Sequence, residues 1–132
     1  SAGTDSYVKK IVRILYDRAR LKYPQIVYKR SQCSFNEKND FCKKLDLLFE
    51  QDYCKCNGIT KYNTLLLDDN RVNQRSNPDN TFLIPAYNPE ITVNGILNNS
   101  DNILMRVKDW YLNIPYDATD IRLVKRPNFK KK

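Results

Sequence analysis

The sequence contains no histidine. That absence removes the usual proton shuttle and the His-dependent nucleophilic triads, so any chemistry here falls to carboxylates, lysine, serine or a metal ion. Its four cysteines, Cys33, Cys42, Cys54 and Cys56, make no C-x-x-C pair and no recognisable zinc pattern. They read as free thiols in a reducing compartment, with a disulfide or metal clip through Cys54 and Cys56 as the lesser alternative. No apolar stretch approaches the ~20 residues of a membrane-spanning helix, and no charged-then-apolar signal segment opens the chain. Internal repeats are absent too.

What is present is a basic chain of one-domain length. Its 132 residues suffice to bury about two thirds of the unfolded surface. Lys and Arg number 23 against 15 Asp and Glu, a net charge of +8, partly concentrated in Lys125, Arg126, Lys130, Lys131 and Lys132. Such an excess favours an acidic partner, nucleic acid or a phosphorylated or acidic protein; a solvated, solubilising tail is the equal alternative. The expected division is a domain over residues 1–115 and a basic extension over 116–132.

Helix and strand signals alternate. Thr4 or Asp5 can cap a helix to about Arg20, with Val8, Ile11, Val12, Leu15 and Ala19 on its core face and Pro24 ending the segment. Ile26 to Tyr28 reads as a short strand and Phe41 to Phe49 as a short helix. The polar stretch from Glu50 to Thr60 reads as a loop or insertion. Leu65 to Leu67 and Phe82 to Ile84 read as buried strands, and Pro85 to Asn102 as mostly irregular. Ile103 to Leu112 reads as a helix whose Ile103, Val107, Trp110 and Tyr111 face the sheet. This alternation predicts a three-layer α/β domain with a parallel sheet.

The stretch richest in chemistry is Leu65-Leu66-Leu67-Asp68-Asp69-Asn70, followed by Asn77-Pro78-Asp79-Asn80. Its carboxylates stand at the C-terminal end of an apolar strand, where open α/β sheets place ligands, and two such oxygen donors suit a hard cation such as Mg2+. A turn or a helix cap is the alternative use of the same residues.

Three segments carry a family resemblance. Ser1-Ala2-Gly3-Thr4-Asp5-Ser6-Tyr7-Val8 resembles the Ser/Thr signature of haloacid-dehalogenase-like (HAD) phosphatases, in the branch related to the RNA polymerase carboxy-terminal-domain phosphatases. Cys33-Ser34-Phe35 with Phe41-Cys42-Lys43-Lys44-Leu45 resembles the segment holding that branch's catalytic lysine, at Lys43. Leu67-Asp68-Asp69-Asn70 through Asn77-Pro78-Asp79-Asn80 resembles its metal-binding signature. The resemblance implies a HAD-like Rossmannoid fold and a Mg2+-dependent phosphatase acting on phosphoserine or phosphothreonine. Ser1 would bind a phosphate oxygen, and backbone N–H groups around Ala2 and Gly3 would complete an anion cradle. Lys43 would offset charge on the transferring phosphoryl group. Asp69, and secondarily Asp68, would hold the Mg2+, with Asn70 a weaker candidate or a cap.

In such enzymes the nucleophile is the first aspartate of an Asp-x-Asp pair on the first strand, before the Ser/Thr signature. The expectation is therefore that this chain lacks its N-terminal strand or strands, is inactive alone, and is the C-terminal part of a longer phosphatase. Its Asn-, Tyr- and Lys-rich composition resembles large-DNA-virus members of the branch, of the baculovirus nucleocapsid-associated kind. That likeness implies nucleocapsid assembly, other nucleocapsid proteins as partners, a phosphorylated basic DNA-packaging protein as substrate, and location in the virion nucleocapsid and host nucleus; without it, an intracellular site is expected. The competing expectation is an inactive structural module that binds protein or DNA through its basic surface and tail.

Overall fold

A computed structural model describes residues 1–92, 94–95, 97–98 and 101–129. The longest element is α1, Asp5–Ala19. Asp5 favours its first turn through the helix dipole. Its end is set by Arg20, which adopts a left-handed conformation (φ 51°) while Leu21 N–H donates to the Tyr16 carbonyl. The helix thus stops at Ala19, five residues before Pro24, which does not end it. Only Val8 is buried; Ile11 and Val12 are half-buried, and Leu15 and Ala19, expected on the core face, are exposed.

After α1 the expected strand Ile26 to Tyr28 forms no ladder among the described residues. A single 3-10 turn at Arg30–Gln32 leads into an antiparallel hairpin of β1 (Ser34–Phe35) and β2 (Phe41–Cys42). The expected helix over Phe41 to Phe49 therefore starts late: Phe41 and Cys42 pair with Phe35 and Ser34, and α2 covers Leu45–Phe49. The stretch read as a loop holds a further short helix, α3 (Asp52–Cys56), with Cys54 fully buried. All four cysteines are free.

The central unit is a parallel pair, β3 (Leu66–Asp68) beside β4 (Thr81–Leu83), in the register Leu66 to Thr81, Leu67 to Phe82 and Asp68 to Leu83. Parallel strands need a crossover of about a dozen residues. Residues 69–80 supply it, carrying α4 (Arg71–Ser76), with Asn70 at the N-cap accepting the Val72 N–H at 2.8 Å. The α/β class with a parallel sheet is thus the observed one. In the stretch expected to be mostly irregular, β5 (Glu90–Ile91) and β6 (Leu97–Asn98) pair antiparallel, and α5 occupies Ile103–Leu112 as expected.

The core is narrow and partly polar. Val8, Cys42, Leu45, Cys54, Phe82 and Val107 are buried, and so are Asp68, Asn73, Asn77, Asn80 and Thr81. Val107 turns α5 toward the sheet, whereas Tyr111, expected on that face, is exposed. Within residues 116–129, several side chains and backbone groups are tied back to the domain. Phe82 stacks on Phe129 (5.4 Å) and meets Trp110 edge-on (4.9 Å). Trp110 Nε1 donates to the Lys125 carbonyl, and Ile121 N–H to the Tyr62 carbonyl.

Candidate active site

Asp68 is the last residue of β3, at the C-terminal edge of the parallel pair, and is 5 % exposed. One carboxylate oxygen, Oδ2, accepts from Lys43 Nζ in an ion pair. The other, Oδ1, accepts the Asn70 N–H at 2.8 Å and Asn73 Nδ2 at 3.0 Å. Burial by itself pushes the carboxyl up; the Lys43 bond, then those from Asn73 and the Asn70 N–H, outweigh it and hold Asp68 below the usual carboxylate range. It is an anion at neutral pH.

Lys43 reaches Asp68 because α4 grips the backbone that carries it. Asn73 and Asn77 lie four residues apart, on one face. Asn73 Oδ1 accepts the Lys43 N–H at 2.8 Å, and Asn77 Oδ1 accepts the Leu45 N–H at 2.8 Å. Asn77 Nδ2 donates to the Lys43 carbonyl at 2.7 Å and to the Asn73 carbonyl at 2.9 Å. Asn73 therefore touches both the backbone of Lys43 and the carboxylate that pairs with its ammonium. Neither asparagine was among the candidates read from sequence, although their spacing beside Asp68 was a usable signal.

A cavity of about 570 Å³ opens beside this pair, lined by Lys43, Asp68 and Asp69 among others. Asp69 is exposed, in contrast to its buried neighbour. Ser1 lies on the other side: it lines a separate cavity of about 250 Å³, and Lys43 is the predicted site residue common to both. The Ser1 hydroxyl accepts the Gly3 N–H at 3.1 Å, so that donor of the expected cradle is already engaged. The Ala2 and Gly3 carbonyls are held by Arg30, through its Nε at 2.7 Å and its N–H at 3.1 Å. A Cβ on Gly3 would lie 2.9 Å from the Tyr7 ring and 3.2 Å from Val8, so a side chain there would push the exposed Tyr7 aside.

Comparison with protein families matches residues 1–122 to the NLI interacting factor-like phosphatases, nearly the whole chain. The chain belongs to that family. It is the carboxy-terminal-domain phosphatase branch of the HAD superfamily. Comparisons with curated proteins and with solved structures give no significant match.

HAD phosphatases generally use Mg2+, and the residues of this member of the family fit that ion only in part. Asp68, a secondary candidate for the metal, has both oxygens engaged by Lys43, Asn70 and Asn73. Asn70 caps α4. Asp69 offers an open carboxylate on the cavity, and no group of three or more His, Cys, Asp or Glu side chains suited to a metal exists among the described residues. Magnesium is commonly held by one or two carboxylates plus substrate phosphate and water, so Asp69 is suited as one member of such a set.

Proposed function

We propose that this chain supplies the lysine and carboxylate wall of a protein phosphatase site for phosphoserine or phosphothreonine. The observation that carries the reading is Lys43, anchored by Asn73 and Asn77, paired to Asp68 and lining a cavity shared with the exposed Asp69. In this role Lys43 holds positive charge where phosphoryl oxygens gather charge, and Asp68 fixes its ammonium without proton movement. Asp69 would hold a Mg2+, which when bound offsets phosphoryl charge. Ser1 would contact phosphate from the far side of Lys43. The nucleophile in this reading is an aspartate upstream of Ser1, since the sequence has no Asp-x-Asp pair.

The test is Lys43→Ala in the full-length protein, assayed on a phosphoserine peptide and on phenyl phosphate with Mg2+. A fall in turnover of about two orders of magnitude is expected on both, the scale of one preorganised electrostatic partner. Unchanged turnover would remove Lys43 from the site.

The finer placement, a large-DNA-virus member acting in nucleocapsid assembly on a basic DNA-packaging protein, is proposed on composition. Its check is whether the protein is retained in purified nucleocapsids; finding it only in the soluble fraction would end it. Any DNA contact through the tail falls to Lys125 and to residues 130–132, which lie outside the described residues. Arg126 is engaged instead with the Thr81 carbonyl, at 2.7 Å, and the Asp79 carbonyl.

A further inference from the structure

The cavity beside Lys43 extends well past the groups that would handle a phosphoryl unit. From Lys43 and Asp69 it runs to Tyr87, beyond β4, and to Leu104 and Met105 in the first turn of α5. These far residues are apolar and open: Tyr87 is 59 %, Leu104 64 % and Met105 57 % exposed. Val107 is the buried residue of α5, whereas Leu104 and Met105, one turn or less before it, are left outside the core packing. Single exposed apolar residues are ordinary. Here three of them line one cavity together with Lys43, Asp68 and Asp69, so the same cavity offers charged groups suited to a phosphate and apolar groups suited to a hydrocarbon. At its rim Asp101 accepts the Ile103 N–H at 2.8 Å, which holds a carboxylate beside the same cavity.

We propose that Tyr87, Leu104 and Met105 form the subsite for an apolar side chain flanking the phosphorylated residue of a peptide substrate, with Asp101 rejecting an acidic flank. The inference rests on the phosphatase reading above. A phosphoserine seated against Lys43 has its immediate neighbours only about 3.5 Å along the chain, so a flanking side chain is the part of a peptide that continues into the same cavity. Met105 is unbranched and flexible, and so adapts to apolar groups of different shape. An acidic neighbour would instead meet Asp101 at close range, where like charges repel.

The experiment uses the full-length protein and three peptides alike except for the residues on either side of the phosphoserine: Leu, Lys or Glu. Binding is measured by fluorescence anisotropy with a non-hydrolysable phosphonate in place of the phosphoserine, and kcat/KM with the phosphoserine peptides. The Leu peptide is expected to bind about tenfold tighter than the Glu peptide, with the same order in kcat/KM. Leu104→Glu and Met105→Glu should each bring that ratio close to one, with the folded state checked by circular dichroism; Leu104→Gln is the milder replacement. Equal binding of all three peptides, a preference for Glu or Lys, or a Leu preference that survives both substitutions would overturn the subsite. So would a concentration-dependent dimer that Leu104→Glu dissolves, since a second copy would then cover this wall. Binding that prefers Leu without turnover of any peptide or of phenyl phosphate would overturn the phosphatase reading and leave the subsite standing. Turnover without flank preference would do the reverse.

Discussion

Replacing Asn73 by Ala tests whether α4 positions Lys43, the lysine proposed to act on the phosphoryl group. Asn73 is 3 % exposed, so water cannot take over its bonds without opening the structure. The substitution deletes the 3.0 Å bond to the Asp68 carboxylate and the 2.8 Å bond from the Lys43 N–H. A hydrogen bond to a charged group contributes about 1.5–3 kcal/mol and a neutral one about 0.5–1.5, and here both partners remain behind in a buried place. A loss of about 3 kcal/mol is reasonable, offset by about 0.6 kcal/mol because Ala is the better helix former in α4. The net cost of about 2.5 kcal/mol corresponds to a fall in Tm of about 10 °C for a chain of this length. Thermal and urea unfolding of the purified protein measure it, with the exposed Arg75→Ala as a control expected within about 0.5 kcal/mol. In the full-length enzyme kcat should fall as well, because Asp68 loses one of the donors that aim it at Lys43. A stability loss under about 1 kcal/mol with unchanged kcat would refute the claim that Asn73 joins the lysine to the sheet.

Three further outcomes are expected. Asp68 titrates below an ordinary aspartate, so its contribution to stability is complete above about pH 3.9 and is lost as the pH falls through the lower folded value; Asp68→Asn should flatten the acid limb of the stability profile below about pH 4, and an unchanged limb would contradict the ion pair. Arg126→Ala removes the guanidinium that caps the Thr81 and Asp79 carbonyls and should cost about 2 kcal/mol in urea unfolding, whereas a purely solubilising tail residue would cost almost nothing. Asp69→Ala should leave the fold intact and abolish Mg2+-dependent turnover in the full-length protein; normal activity would mean that the metal is held elsewhere.

Much of the site was legible because its residues occupy short, strongly patterned segments. The apolar run before Asp68 and Asp69, and the second run at Phe82, announced two parallel strands, although in β3 Leu66 is only half-buried and Leu67 is exposed, and the dozen residues between them matched a parallel crossover. The last helix, Ile103–Leu112, was legible from its periodicity. Phe41 and Cys42 were misread as helix because a two-residue strand has no period of its own; its state is decided by the partner residues Phe35 and Ser34. The span from Ile26 to Tyr28 failed in the opposite way: it has strand-like composition but no ladder partner among the described residues.

By itself, then, the sequence determined that carboxylates end a parallel strand and that these 132 residues bring no histidine, while the family resemblance implied that Lys43 belongs near the carboxylates. Which aspartate meets Lys43 and which is left open was decided only by the tertiary structure. Successive residues at a strand end point to opposite sides. Asp68 is the one that meets Lys43, from a position 25 residues earlier in the chain, while Asp69 is left facing the open cavity. Composition made Lys125 and Arg126 look alike, and packing separated them, because a guanidinium can bond two backbone carbonyls at once, here of Thr81 in β4 and of Asp79 just before it, while Lys125 stays exposed. The apolar wall of Leu104 and Met105 was equally invisible in sequence. A helix's hydrophobic residues look the same in order along the chain whether they meet a sheet, as Val107 does, or remain open beside a lysine.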